Sequence, residues 1–205
     1  MDSELAWRKK EMSLVISNLT SAKEGISKDH YLRVAFLLIY AHWEGYIKVA
    51  SQTYLEYVIS QRLTYDVLKS NFLATGLLNH LENAPSVKNI KHKKEIIDFI
   101  LNGSNITKFY GESAKMIDAE SNLNIDVLEK ICLSLGMEIT TLAADKIWID
   151  SRLLKFRNKI AHGDKVFYSN LDFSIEELRD EIQKFLDTYR NMISNAAVMK
   201  AFLKE

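Results

Sequence analysis

Apolar residues recur at the spacing of an α-helix along almost the whole chain. A first helix is predicted from about Ser3 to Ala22, with its inward residues at Leu5, Met12, Val15, Ile16 and Leu19. Residues 25–29 interrupt the pattern, and Asp29 is expected to cap a second helix from about His30 to Gln61. Residues 34–40 are apolar nearly all round, which predicts a central helix packed on several sides.

The middle third has a weaker pattern. Thr64 is a candidate cap, Pro85 fits a helix start, and Asp126 with Glu129 fits a capping box. Gly136 is expected to end the last helix of this region. The helices predicted here cover about residues 64–83, 87–101 and 126–135.

The last third returns to long helices. Thr140 or Thr141 is expected to cap a helix to about Ala161, and Gly163 suits a left-handed cap at its end. Ser174 to Glu177 form a capping box that opens a final helix to about Phe202. The predicted inward stripe of this helix is Ile175, Leu178, Ile182, Phe185, Leu186 and Tyr189. We therefore predict a single all-α domain over residues 1–205. Its core is an antiparallel four-helix bundle, and a helical insertion occupies about residues 64–138.

Composition supports this fold class. The 205 residues include one Pro and seven Gly, fewer than strand-rich folds use for their turns. No apolar run is long enough to span a bilayer, and residues 1–4 do not resemble a signal peptide, so we expect a cytoplasmic protein without a membrane partner. Cys132 lies between Ile131 and Leu133, which predicts a buried, inert thiol.

The chain has 27 basic and 27 acidic side chains, so its net charge is zero. This balance argues against a protein that wraps nucleic acid along its whole surface, but a nuclease needs only local positive charge. Residues 141–170 provide it, because six cations stand there against three acids. The cations are Lys146, Arg152, Lys155, Arg157, Lys159 and Lys165, and the acids are Asp145, Asp150 and Asp164.

A candidate catalytic motif lies at the end of the helix before Gly163. Asn158 and His162 are four residues apart and share one helix face, and the long side chain of Arg157 reaches the same surface. Imidazole transfers protons near neutral pH, and guanidinium stabilises phosphate charge in a transition state. The alternative is that the histidine before a glycine is only a C-terminal cap partner.

Two stretches resemble the HEPN superfamily. Residues 157–162, Arg-Asn-Lys-Ile-Ala-His, resemble its signature of an arginine, usually a polar residue, and a histidine four to six positions after the arginine. Residues 40–48 resemble the second helix of microbial stand-alone HEPN proteins, the MAE-like group, in which a glutamate, here Glu44, follows a bulky apolar residue. The resemblance covers about residues 1–60 and 140–205 and leaves the middle third unmatched.

The resemblance implies an up-down four-helix bundle that dimerises so that two Arg/His motifs face each other. Many HEPN domains are metal-independent ribonucleases of toxin–antitoxin, restriction or anti-phage systems, whereas others are inactive binding or scaffold domains. Accordingly, we expect RNA as the substrate, a homodimer, and an antitoxin or restriction/defence partner protein, with no metal and no cofactor.

The chemistry gives an independent reason for a dimer. Cleavage of RNA without a metal needs a base for the 2′-hydroxyl and an acid for the leaving 5′-oxygen, and the motif holds one histidine per chain. Attack by the 2′-hydroxyl leaves a 2′,3′-cyclic phosphate and spares DNA. The expected catalytic residues are Arg157, His162, Asn158 and Glu44, and the expected RNA-binding cations are Lys155, Lys159, Arg152 and Lys165.

Several residues keep two interpretations. Glu44 is expected within hydrogen-bonding reach of Arg157 or His162, in one chain or across the dimer, although a pair with Lys48 is the alternative. His42 is read as structural. Two further sets are read as a solvated basic face, with binding of an RNA backbone or an acidic partner as the alternative, and as core or interface aromatics, with base-stacking platforms as the alternative. They are Lys88, Lys91, His92, Lys93 and Lys94, and Tyr54, Tyr57, Tyr65, Phe72, Phe109 and Tyr110.

Other function classes find little support in the sequence. His30, His80 and His92 are too far apart to have metal-ligand spacing, and no Gly-rich phosphate loop is present. We therefore expect an endoribonuclease that acts as the toxin or effector of a defence module. The alternative is a non-catalytic HEPN interaction or nucleotide-binding module. The complete Arg-Asn…His motif favours the enzyme.

Overall fold

A computed structural model of the protein describes residues 1–82, 90–120, 122–139 and 148–204. In these ranges the chain is helical and forms no β-strand, only isolated bridges, which confirms the all-α prediction. The α-helices are α1 (Asp2–Thr20), α2 (Ile26–Ser60), α3 (Ser70–Glu82), α4 (Ile90–Asp98), α5 (Ser113–Met116), α6 (Ile125–Ser134), α7 (Lys155–Ala161) and α8 (Ile175–Val198). Two π-helical turns, Phe99–Gly103 and Ile149–Leu154, follow α4 and precede α7. None of the described helices combines the length and apolarity that crossing a membrane requires.

The chain divides into two compact units. The first unit contains Met1–Ala50, Ala119–Leu128 and Ile139–Asn191, and the second contains Ser51–Asp118, Glu129–Glu138 and Met192–Glu205. Helices α2, α6 and α8 contribute residues to both units.

Helix pairs hold the first unit together. Lys9 Nζ of α1 lies 2.6 Å from the Asp187 carboxylate of α8. The Phe36 ring of α2 stacks on Phe156 of α7 at 5.1 Å. All five residues predicted to face inward on α1 are buried. Helix α1 therefore contacts α8, and α2 contacts α7.

His42 has the structural role that the sequence predicts. Its ring is buried on α2, and Nε2 lies 2.8 Å from a carboxylate oxygen of Glu11 on α1. The edge of the Trp7 ring completes its surroundings. Burial lowers the pKa of His42 below its ordinary value, although Glu11 opposes this shift. His42 thus joins α1 to α2.

The start of α2 differs from the prediction. The helix begins at Ile26, directly after Gly25, whose φ of +92° supplies the break in the chain. Asp29 therefore lies inside the first turn and does not cap the helix. Its carboxylate instead accepts the Tyr168 backbone N–H at 2.8 Å, which anchors the segment after α7 to α2.

The prediction that residues 34–40 are packed on several sides is confirmed only in part. Phe36 and Ile39 are wholly buried, but 38% of Val34 and 40% of Leu37 remain exposed. Only part of the helix surface is covered by the described chain, so α2 presents an apolar face to solvent. Such a face on a folded chain is typical of an interaction surface.

The middle segment shows further differences. Thr64 forms an isolated bridge with Lys108 rather than a cap, and α3 begins at Ser70. Asn124, not the predicted box of Asp126 and Glu129, caps α6, because its Oδ1 accepts the Val127 N–H at 2.8 Å. Two predicted segments lie outside the described residues: 83–89, with Pro85 and Lys88, and 140–147, with Thr140, Thr141 and Lys146. The side chains of His80 and His92 also lie outside them.

Other features of the middle segment follow the prediction. Gly136 has a φ of +69° directly after α6, and Cys132 is a buried free thiol. Four of the six singled-out aromatics are in the core: Tyr54, Tyr65, Phe72 and Phe109. Tyr57 and Tyr110 are exposed and do not lie in the core, so only the interface part of the prediction remains for them.

The capping box at the start of α8 is confirmed. Ser174 Oγ accepts the Glu177 N–H at 3.2 Å, and the Ser174 N–H donates to the Glu177 carboxylate at 3.4 Å. The predicted inward stripe of α8 is buried. The helix ends at Val198, four residues earlier than predicted, and the positive φ of Lys200 turns the chain so that Phe202 is buried beyond the helix.

Loss of this cap should destabilise the protein. We expect Ser174→Ala to lower the free energy of unfolding by about 1 kcal/mol, because the Glu177 N–H loses its acceptor. Urea denaturation followed by circular dichroism measures the change. Ser169→Ala, an exposed serine outside the helices' caps, is the control and should be near neutral. Equal stability of the two variants would contradict the capping role.

Candidate active site

The motif lies at the end of α7. The π-helical turn Ile149–Leu154 leads into this helix, and π-helical turns often occur at functional sites. The His162 N–H donates to the Asn158 carbonyl at 3.0 Å, and the chain then turns at Gly163, whose φ is +87°. The helix therefore ends at Ala161 with a left-handed glycine after it, as predicted. His162 is exposed at this end.

Two neighbours hold Arg157 in place. Its Nη1 donates a hydrogen bond to Asn158 Oδ1 at 2.8 Å. Its guanidinium carbon lies 4.4 Å from the centroid of the Tyr40 ring on α2. A cation in front of an aromatic ring is attracted by the negative face of the π system. The half-buried guanidinium is therefore positioned from two sides, and its remaining N–H groups are available to an anion.

Tyr40 is the residue at this site that the sequence did not single out. Its buried hydroxyl accepts the Leu123 N–H at 2.9 Å and hydrogen-bonds to Glu44. Burial, assisted by the bond to Glu44, raises the pKa of Tyr40 to about 12, so the phenol stays protonated at neutral pH. The sequence signal that could have identified Tyr40 is its spacing from Glu44, because Tyr40 precedes Glu44 by one helical turn and lies on the same helix face.

Glu44 does not contact the motif directly within the chain. Its Oε1 accepts a bond from Lys48 Nζ at 2.6 Å, which confirms the alternative pairing one turn along α2. The prediction of a direct bond to Arg157 or His162 is therefore wrong for a single chain. The reason is geometric, because Tyr40 takes the position against Arg157 and bonds Glu44 through its hydroxyl.

The four predicted RNA-binding cations differ in their surroundings. Lys159 and Lys165 are exposed and have no ion-pair partner in the part of the chain that the structure describes. Lys155 is exposed, with its Nζ 5.8 Å from the Phe156 ring. Arg152 lies against the Phe173 ring at 5.1 Å and reaches Glu181 at 4.0 Å, so it is engaged within the first unit.

A cleft of about 580 Å³ adjoins the end of the motif, between α2 and the segment after α7. Its lining includes His30, which sequence reasoning had considered only as a metal ligand. The lining residues are Ile26, Asp29, His30, Arg33, Val34, Leu37, Ile160, Gly163, Asp164, Lys165 and Phe167. The described residues contain no group of three or more His, Cys, Asp or Glu arranged to hold a metal ion.

Comparison with known families assigns the chain. The sequence model of the MAE_28990-like HEPN family matches residues 1–202. The chain belongs to this HEPN family. No curated protein and no solved structure gives a significant match.

The match extends over the middle third, which showed no resemblance to the HEPN pattern from the sequence alone. The helices of this segment are therefore part of the family's sequence pattern. Membership places the chain, at a coarse level, among HEPN-type nucleases and effectors. The superfamily resemblance is thus confirmed.

The support beneath the HEPN motif can be tested at Tyr40. We expect Tyr40→Phe to lower the free energy of unfolding by about 1–3 kcal/mol, because the buried Leu123 N–H loses its acceptor. Tyr54→Phe is a matched control, since the buried Tyr54 hydroxyl has no hydrogen-bond partner among the described residues. That variant should be neutral or slightly stabilising. Urea denaturation of both variants measures the difference in the free energy of unfolding. A Tyr40→Phe variant as stable as the wild type would show that the Tyr40 hydroxyl does not support the motif.

Proposed function

We propose that this HEPN protein is a metal-independent endoribonuclease that acts as a homodimer. The observation that carries the proposal is the arrangement at the end of α7. Arg157 is held between Asn158 and the Tyr40 ring, and His162 is exposed one turn further along. A positioned guanidinium beside an accessible imidazole matches what cleavage of a phosphodiester requires.

The reaction follows from these groups. One imidazole takes the proton of the ribose 2′-hydroxyl, and the 2′-oxygen attacks the adjacent phosphorus. The bond from phosphorus to the 5′-oxygen breaks, and a second imidazole protonates this leaving oxygen. The products are a 2′,3′-cyclic phosphate and a 5′-hydroxyl. Arg157 stabilises the charge that develops on the phosphorane, and Asn158 positions Arg157.

The dimer supplies the second imidazole. Each motif contains one histidine, and a two-fold axis near the end of α7 would bring two copies of His162 together. The exposed apolar face of α2 supports this arrangement, because Val34 and Leu37 line the same cleft as Ile160 and Gly163 of the motif region. A second copy that covers this cleft would bury its apolar wall.

The remaining predicted residues take supporting roles. Glu44 orients the Tyr40 hydroxyl and thus acts on Arg157 indirectly. Lys159 and Lys165 are the best-placed cations for the RNA backbone because both are exposed and unpaired in the described chain. Lys155 and Arg152 add positive charge next to them.

The biological role that fits this activity is that of a toxin or effector in a toxin–antitoxin or anti-phage system in the cytoplasm, with an antitoxin or another defence protein as partner. We propose that residues 1–205 form one domain of this kind, with the insertion at about residues 64–138. The alternative is a non-catalytic interaction or nucleotide-binding module. The complete motif, with Arg157 already held in position, favours the enzyme.

Cleavage tests the proposal directly. The wild-type protein should cleave single-stranded RNA in the presence of EDTA, leave 2′,3′-cyclic phosphate ends, and spare DNA of the same sequence. His162→Ala should lower the rate by about 10²–10⁴-fold, because it removes the proton-transfer group. Arg157→Ala should lower it to a similar extent. Gel analysis with end-group mapping measures both effects.

Matched controls separate chemistry from folding. His92→Ala and Arg179→Ala remove a histidine and an arginine outside the motif, and both should cleave at nearly the wild-type rate. If the wild type cleaves nothing across a broad RNA panel and is harmless when expressed, the interaction-module alternative replaces the nuclease. The same follows if both motif variants cleave normally.

The dimer can be tested at its proposed apolar face. Leu37→Glu should convert a dimer into a monomer at micromolar concentration, because a buried, unpaired carboxylate opposes association. Leu14→Glu is the control, since Leu14 is an exposed leucine of α1 in the same unit. Light scattering reads the mass of each protein. A wild-type protein that is monomeric without RNA would contradict the proposed dimer.

A further inference from the structure

A second cleft lies wholly within the second unit. It has a volume of about 440 Å³, within the range of small-ligand sites, and adjoins α3, the π-helical turn Phe99–Gly103 and residues 107–115. Its lining combines aromatic rings with two lysines. The proposed cleavage chemistry at α7 uses none of these residues.

The aromatic part of the cleft ends in an exposed ring. Tyr65 and Phe99 meet edge to face at 5.7 Å in its lining. Tyr110, also in the lining, is 78% exposed, so burial in the core does not explain this ring. The Phe109 N–H donates to the Leu63 carbonyl at 2.8 Å, which fixes the segment that presents the ring. An accessible, anchored aromatic ring offers a face on which a planar base can stack.

The charged part of the cleft is positive. Lys115 lies 2.9 Å from Glu112, so these two lining side chains neutralise each other. Lys108 is exposed and has no ion-pair partner among the residues that the structure describes. The uncompensated ammonium of Lys108 is therefore available to an anionic group near the Tyr110 ring.

Glycines shape the walls of the cleft. A Cβ at Gly76 would overlap the Tyr65 hydroxyl, and a Cβ at Gly111 would overlap the Met116 side chain. Gly76 and Tyr65 both line the cleft, so the close approach of α3 to Tyr65 depends on the missing side chain of Gly76. The cleft is thus built from tightly fitted elements rather than left between loosely packed loops.

We propose that this cleft binds one nucleotide of single-stranded RNA, with the base against Tyr110 and a phosphate at Lys108. The cleft combines a π face, one free cation and a cavity of nucleotide size. The proposal rests on the proposed function in taking RNA as the ligand. It adds a binding site, outside the Arg/His motif, that contributes to RNA affinity.

Binding measurements test the site without interference from cleavage. A fluorescent single-stranded RNA of twelve nucleotides is titrated into the His162→Ala protein, and anisotropy gives Kd. Adding Tyr110→Leu should weaken binding by about 5- to 100-fold through loss of stacking. Adding Lys108→Gln should weaken binding and lower the slope of log Kd against log salt by about 0.7. Lys10→Gln, an exposed lysine of α1, is the charge-matched control and should change Kd less than twofold.

A second probe localises the effect. Uridine 5′-monophosphate should give saturation-transfer NMR signals with the parent protein and weaker signals with Tyr110→Leu. Circular dichroism confirms that each variant is folded. Unchanged Kd values for both cleft variants overturn the site, and so does an equal loss of affinity in Lys10→Gln. If hexaglutamate binds the protein at the cleft and Tyr110→Leu leaves RNA binding unchanged, the cleft is a site for an acidic peptide. That outcome also overturns the proposed nucleotide site.

The two proposals fail in different ways. If the wild-type protein cleaves RNA while Tyr110→Leu and Lys108→Gln bind RNA like the parent, only the cleft proposal fails. If the wild-type protein cleaves no RNA but the cleft variants lose affinity as expected, the nuclease proposal fails and the nucleotide site stands.

Discussion

The contact between the Arg157 guanidinium and the Tyr40 ring joins the two helices that build the candidate site. An arginine side chain at a helix end has many rotamers, and fixing it costs conformational entropy. The Tyr40 ring and Asn158 Oδ1 restrict those rotamers without any ligand. Tyr40 is itself fixed, because its hydroxyl is bonded to the Leu123 N–H and to Glu44. The position of the cation thus depends on the packing of α2.

The arrangement gives the motif a rigid part and an accessible part. Arg157 and Asn158 are half-buried, whereas His162 lies exposed beyond the last turn of α7. A preorganised cation stabilises developing charge without a further reorganisation of the protein. An exposed imidazole remains accessible to a substrate and to a second copy of the chain. The exposed apolar face of α2 and the single motif histidine both agree with a dimer at this surface.

Local signals in the sequence predicted much of the helical framework. The glycines after α6 and α7, the capping box of Ser174 and the inward stripes of α1 and α8 were all readable, because each depends on residues within one or two turns. The caps at Asp29, Thr64 and Asp126 were wrong, because a polar residue near a helix start is compatible with several registers. Tertiary contacts choose between them. Asp29, for example, bonds the distant Tyr168 N–H.

By itself, the sequence determined the all-α class, the family and the motif of residues 157–162. Hydrophobic periodicity and short residue spacings can be recognised in a sequence without knowledge of the fold. Only the tertiary structure decided which side chains meet that motif. It placed Tyr40 rather than Glu44 against Arg157, left Val34 and Leu37 exposed on an apolar helix, and brought Tyr110 to an open cleft. These outcomes depend on packing between segments far apart in the chain, and hydrophobic periodicity specifies which face of a helix is apolar but not what covers it.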